Sequence, residues 1–177
     1  MFFLKKNNCI GSWFILLAAI NAFFINTTAA QCRYSPKTKQ TQTRSQMLVG
    51  GYGVSETLSV EARKSDDTIS LDLHFETTEA AFSIQKDATL TLLLVNGETV
   101  VLRAYEMLHS DAYMTCCDKV WLMEVAYLIP KEDYTLLAEN SISKIHLELD
   151  NRLKAFDLKP KKRGKISRLI RCFVSSQ

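Results

Sequence analysis

Past residue 30, the 177-residue chain holds no apolar run approaching the ~20 residues that a membrane-spanning helix needs. It shows no internal repeat at a fixed period, and with that a repeat architecture is excluded. The one glycine-rich stretch, "GGYG" at 50–53, is followed neither by Gly-Lys-Ser/Thr nor by a helical pattern, so it is a turn and not a phosphate-binding loop. No two cysteines stand two to four residues apart, the spacing that zinc sites favour. The sequence therefore implies no metal and no cofactor.

What is present begins at the N-terminus. Lys5 and Lys6 precede an apolar run from about Ile10 to Ile25, and small residues Thr28, Ala29 and Ala30 close it. That order predicts a cleaved secretory signal over residues 1–30. An uncleaved anchor is the alternative, weakened by the short run and by Gly11, Ser12 and Asn21. A lipid-attachment site at Cys32 is disfavoured because Gln31 stands where a small residue is required. The expected location is outside the cytoplasm, periplasmic or extracellular, with no transmembrane span once the signal is removed.

Charge is unevenly placed. Removing Lys5 and Lys6 leaves 20 basic residues against 19 acidic ones, close to neutrality. Seven of those basic residues, Lys159, Lys161, Lys162, Arg163, Lys165, Arg168 and Arg171, fall in the last segment without an acidic neighbour. This segment is a candidate for binding an anionic surface, such as lipid head groups, an acidic glycan or an acidic partner. The competing reading is a solvated segment that offsets the acidic body. Nucleic acid is disfavoured as a partner by export and by that acidic body.

Four cysteines follow the signal: Cys32, Cys116, Cys117 and Cys172. In an oxidising compartment an even count predicts disulfides. Pairing Cys116 with Cys117 conflicts with the usual Cα spacing of a disulfide. Neighbours on an extended segment point to opposite sides, so each is expected to bond a distant partner, one Cys32 and the other Cys172. A reactive alternative would use Cys116 or Cys117 with His109 as base, or Ser110 with His109 and Asp111, although consecutive residues rarely converge on one point.

Residues 31–46 read as a polar, flexible leader, and 47–177 as one β-rich domain. In "TISLDLHFE", Ile69, Leu71, Leu73 and Phe75 alternate with polar residues, a half-buried strand. Two β-prone runs flank Asn96-Gly97, which predicts a two-residue type I′ hairpin. "VWLMEVAYLI", 120–129, is apolar on both faces except for Glu124 and reads as a central strand covered on both sides. "PKEDYTLLAEN" reads as a short helix. Asp150-Asn151 separates "SKIHLEL" from "RLKAFDLK", a second hairpin. Residues 165–175 fit a helix or a final strand. About seven strands with one or two short helices predict a mainly β, sandwich-like or α+β domain.

With "VNGETVVLRAYE" and "YLIPKEDYTLLAENSISKIHLEL", the segment from about Thr68 to Lys159 resembles small exported β-rich proteins of uncharacterised function from bacteroidete cell envelopes. The resemblance implies fold and compartment, and it brings no catalytic residues.

Other candidates compete with ordinary structure. Asp72, His74 and Glu76 share a strand face, as do His146 and Glu148, but alternation alone produces such faces. Glu124 is expected to meet a cation such as Arg103, or to lie at an edge or pocket. Trp121, Tyr127, Tyr105 and Tyr113 offer an aromatic platform, although strand aromatics usually fill cores. Together these features predict an exported, non-enzymatic binding or structural protein of the envelope, partnered by an envelope protein, a glycan or an anionic surface. The alternative is a small hydrolase or thiol-redox protein.

Overall fold

In the computed structural model, residues 32–36, 39–51, 55–150 and 152–174 are described. The expected signal lies outside them. Among the described residues, thirteen short to medium strands run β1 (Arg33–Ser35), β2 (Gln40–Gln42), β3 (Gln46–Val49), β4 (Glu56–Ser65), β5 (Thr68–Thr77), β6 (Ser83–Ile84) and β7 (Thr89–Leu94). They continue with β8 (Thr99–Ala104), β9 (Leu108–His109), β10 (Asp111–Met114), β11 (Lys119–Leu128), β12 (Ile142–Leu149) and β13 (Arg152–Asp157). Helix α1 (Asp133–Glu139) joins β11 to β12, and a C-terminal helical segment divides at Gly164 into α2 (Pro160–Arg163) and α3 (Lys165–Val174). The domain is mainly β, as the alternation in the sequence predicts.

All strand pairs are antiparallel, in the order β1-β2-β4-β5-β11-β8-β7-β12-β13; β10 also pairs with β11, β3 with β4, and β6 with β9 in a small separate ladder. Between its long strands the main sheet narrows where β8 and β11 share only Tyr127↔Ala104 and Leu128↔Arg103. Its two halves curl towards each other about that junction. Phe75 of β5 lies edge-on to Phe156 of β13, with ring centroids 5.8 Å apart. Lys154 of β13 also pairs with Glu56 of β4 and, at 2.9 Å, with Glu79.

The core follows the period-2 pattern. Ile69, Leu71, Leu73 and Phe75 are all buried, as are Ile145, Leu147 and Leu149. One apolar cluster extends from these strands to Leu137 on α1 and to Ile166, Leu169, Ile170 and Phe173 on α3. Those four α3 positions recur at helical spacing, so burying them fixes the segment as a helix. Among the described residues no helix is long and apolar enough to cross a membrane.

Three expectations are corrected here. The hairpin at Asn96-Gly97 has a three-residue loop, Val95-Asn96-Gly97: Leu94 O accepts the Gly97 amide at 3.2 Å, and Gly97 sits at φ +93°. Asn96 is absent from the positive-φ residues, so the loop is a type I turn closed by a glycine bulge instead of a type I′ turn. Secondly, β11 is covered on one face only, and Glu124, Ala126 and Leu128 are exposed on the other. Thirdly, much of the segment read as a flexible leader is ordered. β1 and β2 pair with each other, and β2 joins β4 through Thr41↔Lys64 and Gln42↔Arg63. Thr43 then bonds Ala62 through both its backbone amide and its hydroxyl, which seats the polar segment on the sheet edge.

Candidate functional site

The cysteines are arranged differently from expectation. Cys32 and Cys172 bond each other, across 140 residues of sequence, and Cys116 and Cys117 are free and exposed. The physical reason lies in the topology. The ordered N-terminal segment runs along the edge beside α3, bringing Cys32 next to Cys172, whereas Cys116 and Cys117 occupy the turn between β10 and β11. Thr115 shapes that turn: its amide donates to Asp118 O at 2.9 Å, and its hydroxyl accepts the amides of Cys117 and Asp118. The two thiol sulfurs lie 3.2 Å apart.

His109 does not reach them. It is an exposed residue of β9, paired with Ser83, and the four residues of β10 intervene, about 13 Å of strand rise. The Ser110 hydroxyl is occupied, accepting the Phe82 amide at 3.0 Å. The consecutive His109, Ser110 and Asp111 therefore do not assemble a catalytic set.

The basic segment is a docked helical element. Lys162 and Lys165 both donate to Met47 O, at 2.8 and 3.1 Å, and Arg163 donates to Leu158 O at 3.1 Å. Arg171 donates twice to Ala138 O, satisfying a carbonyl in the last turn of α1. Four of the seven cations are thus turned towards backbone carbonyls, leaving Lys159, Lys161 and Arg168 as exposed residues spread along the segment.

On the outer face of β4, β5 and β11 the polar residues form ion pairs. Arg63 bonds Glu61 at 2.8 Å and Asp72 at 2.7 Å, and Ser70 donates to Asp72 at 2.9 Å. Asp72 is only 5% exposed. Its burial pushes the carboxyl above the ordinary aspartate range, with Arg63 opposing the shift. His74 Nδ1 lies 2.9 Å from Glu124 Oε1, so the partner of Glu124 is His74 and not Arg103. Among the described residues no group of three His, Cys, Asp or Glu side chains is placed to hold a metal. His146 and Glu148 stand on β12, with three strands between it and β5, and Glu148 instead accepts from the Thr89 amide and hydroxyl at 2.8 and 2.7 Å.

The aromatic residues also separate. Tyr127 is fully buried, and burial raises its phenol. Trp121 lies under Lys119, whose Nζ is 4.1 Å from the ring centroid, while Tyr113 donates to Glu76 at 3.3 Å. Tyr105, 66% exposed, stands between two adjoining clefts. The larger, about 660 Å³, is lined by the exposed apolar groups of Val101, Tyr105, Met107 and Leu128 with Arg103 and Glu106. The smaller, about 280 Å³, runs from Tyr105 and Leu128 to Arg63, Ser70 and Asp72.

No family model, curated protein or solved structure matches the chain.

The Tyr105 clefts bring exposed apolar surface next to the half-buried Arg63–Asp72 pair. In the sequence, Tyr105 is visible only as one aromatic among several. Leu128 reads as strand interior, because which face of β11 is left uncovered depends on long-range packing.

Proposed function

We propose that the chain is an exported, non-enzymatic binding protein of the cell envelope, and that its ligand seats on Tyr105. The observation carrying this reading is the contiguous apolar lining of Val101, Tyr105, Met107 and Leu128 beside the Arg63–Asp72 pair. Binding clefts combine mostly apolar walls with a few placed polar groups, and exposed apolar patches mark interaction surfaces. Export is supported by the Cys32–Cys172 bond, which suits an oxidising compartment, and by the resemblance to bacteroidete envelope proteins. The hydrolase or thiol–histidine alternative is disfavoured by the separation of His109 from the hairpin thiols.

A photo-crosslinking residue placed at position 105 in the intact cell tests this reading. The expected result is a discrete adduct from 105, found outside the cytoplasm and absent when the probe replaces the exposed Leu153 on β13. Equal labelling from both positions, or cytoplasmic retention of the chain, would contradict it.

A further inference from the structure

We propose that Cys116 and Cys117 form a two-thiolate site for a trivalent thiophilic metalloid of the arsenite class. The site is independent of the Tyr105 clefts. Both thiols are exposed at a hairpin tip, their sulfurs are 3.2 Å apart, and Thr115 holds the turn that presents them. The two other described cysteines are bonded to each other, which leaves this pair without a disulfide partner elsewhere in the described chain. The pair is also a poor internal disulfide, since consecutive Cα atoms lie about 3.8 Å apart across a trans peptide and a disulfide usually needs at least ~4.4 Å. The same closeness favours a bridging atom.

The sulfur separation selects the class of atom. With bonds of about 2.3 Å, as thiolates make to soft ions, a 3.2 Å span corresponds to a sulfur–ion–sulfur angle of roughly 90°. A linear two-coordinate ion would require about 4.6 Å, and a tetrahedral one about 3.8 Å, at the same bond length. A pyramidal trivalent metalloid, with bonds close to right angles, fits without separating the thiols. Binding is a condensation without redox change. Each thiol gives its proton to a hydroxyl of the trihydroxy acid, two arsenic–oxygen bonds break, two arsenic–sulfur bonds form, and two waters leave. The metalloid keeps its oxidation state and its third hydroxyl.

The test uses the full chain, isolated with its Cys32–Cys172 bond intact, and phenylarsine oxide as probe. Intact mass should show one phenylarsenic group per chain with loss of one water, and both hairpin thiols should become closed to alkylation. A dithiol should reverse the adduct where a monothiol at equal thiol concentration does not. Cys116→Ser and Cys117→Ser should each weaken capture by about a hundredfold, the usual scale of a lost chelate partner. Their melting temperatures should be unchanged, because both side chains are exposed. Two arsenicals per chain, wild-type capture by either single variant, or a Cys116–Cys117 disulfide in the isolated protein would overturn the proposal.

Discussion

Phe75 on β5 and Phe156 on β13 meet edge-on across the core, with ring centroids 5.8 Å apart, although β11, β8, β7 and β12 stand between their strands in the sheet. The contact marks where the two halves of the sheet close on one another. Phe75 also touches Phe82, at 5.1 Å, so three rings share the closure. Phe75→Ala should therefore cost about 3–5 kcal/mol, the range for emptying a buried aromatic site. Denaturant unfolding measures it, and a loss below ~1 kcal/mol would mean that the halves do not pack through this residue.

The loop glycine provides a second check. A Cβ at Gly97 would meet nothing within 4 Å, so any cost of substitution comes from its φ of +93° alone. Gly97→Val should destabilise the domain by about 1 kcal/mol or more, read as a lower melting temperature. Gly97→Asn, which tolerates positive φ better, should lose less.

Acid stability should depend on Glu148. Two hydrogen bonds from Thr89 hold its carboxyl below the ordinary glutamate range. A depressed carboxylate contributes stability that is fully present above its unfolded pKa, about 4.3. That contribution is lost as pH falls through the lower folded value. Glu148→Gln should reduce stability at pH 7 by roughly 1 kcal/mol, the scale of a partly exposed charged hydrogen bond. The difference from wild type should shrink below about pH 4.3. A pH-independent difference would place the effect of Glu148 outside its charge.

Much of the fold was legible because its signals are local. Alternation in Thr68–Glu76 and the hairpin signal at Asp150-Asn151 each act within one strand or one hairpin; β5 forms over the first, and β12 pairs with β13 around the second, Asn151 itself lying outside the described residues. Long-range geometry was not legible. The pairing of Cys32 with Cys172 depends on the N-terminal edge strands running beside α3, which no local pattern specifies. The exposure of Glu124 and Leu128 likewise follows from β11 being covered on one face only, which depends on how the sheet closes. The basic segment was legible as charge, but its bonds to Met47 and Ala138 carbonyls depend on tertiary docking. Tyr105 was visible as an aromatic residue, and its place between two clefts was not.

Reducing Cys32–Cys172 should loosen the N-terminal edge and α3 before the β5–β11 pairing, because the bond joins those two outer elements. For a loop of 140 residues the chain-entropy model gives about 5 kcal/mol as the stabilisation, before any native strain. Hydrogen exchange with and without reductant should show the loss first in β2 and α3. Uniform loss across the sheet would argue that the bond does not act through these edges.

The most direct test is a peptide map of protein recovered from outside the cytoplasm, alkylated at once and digested without reductant. The expected map contains one linked pair, the Cys32 and Cys172 peptides, with Cys116 and Cys117 both alkylated. A Cys32 or Cys172 peptide linked to the β10–β11 hairpin, or no linked peptides at all, would contradict the bond between the N-terminal edge and α3 and the free thiol pair at the hairpin tip.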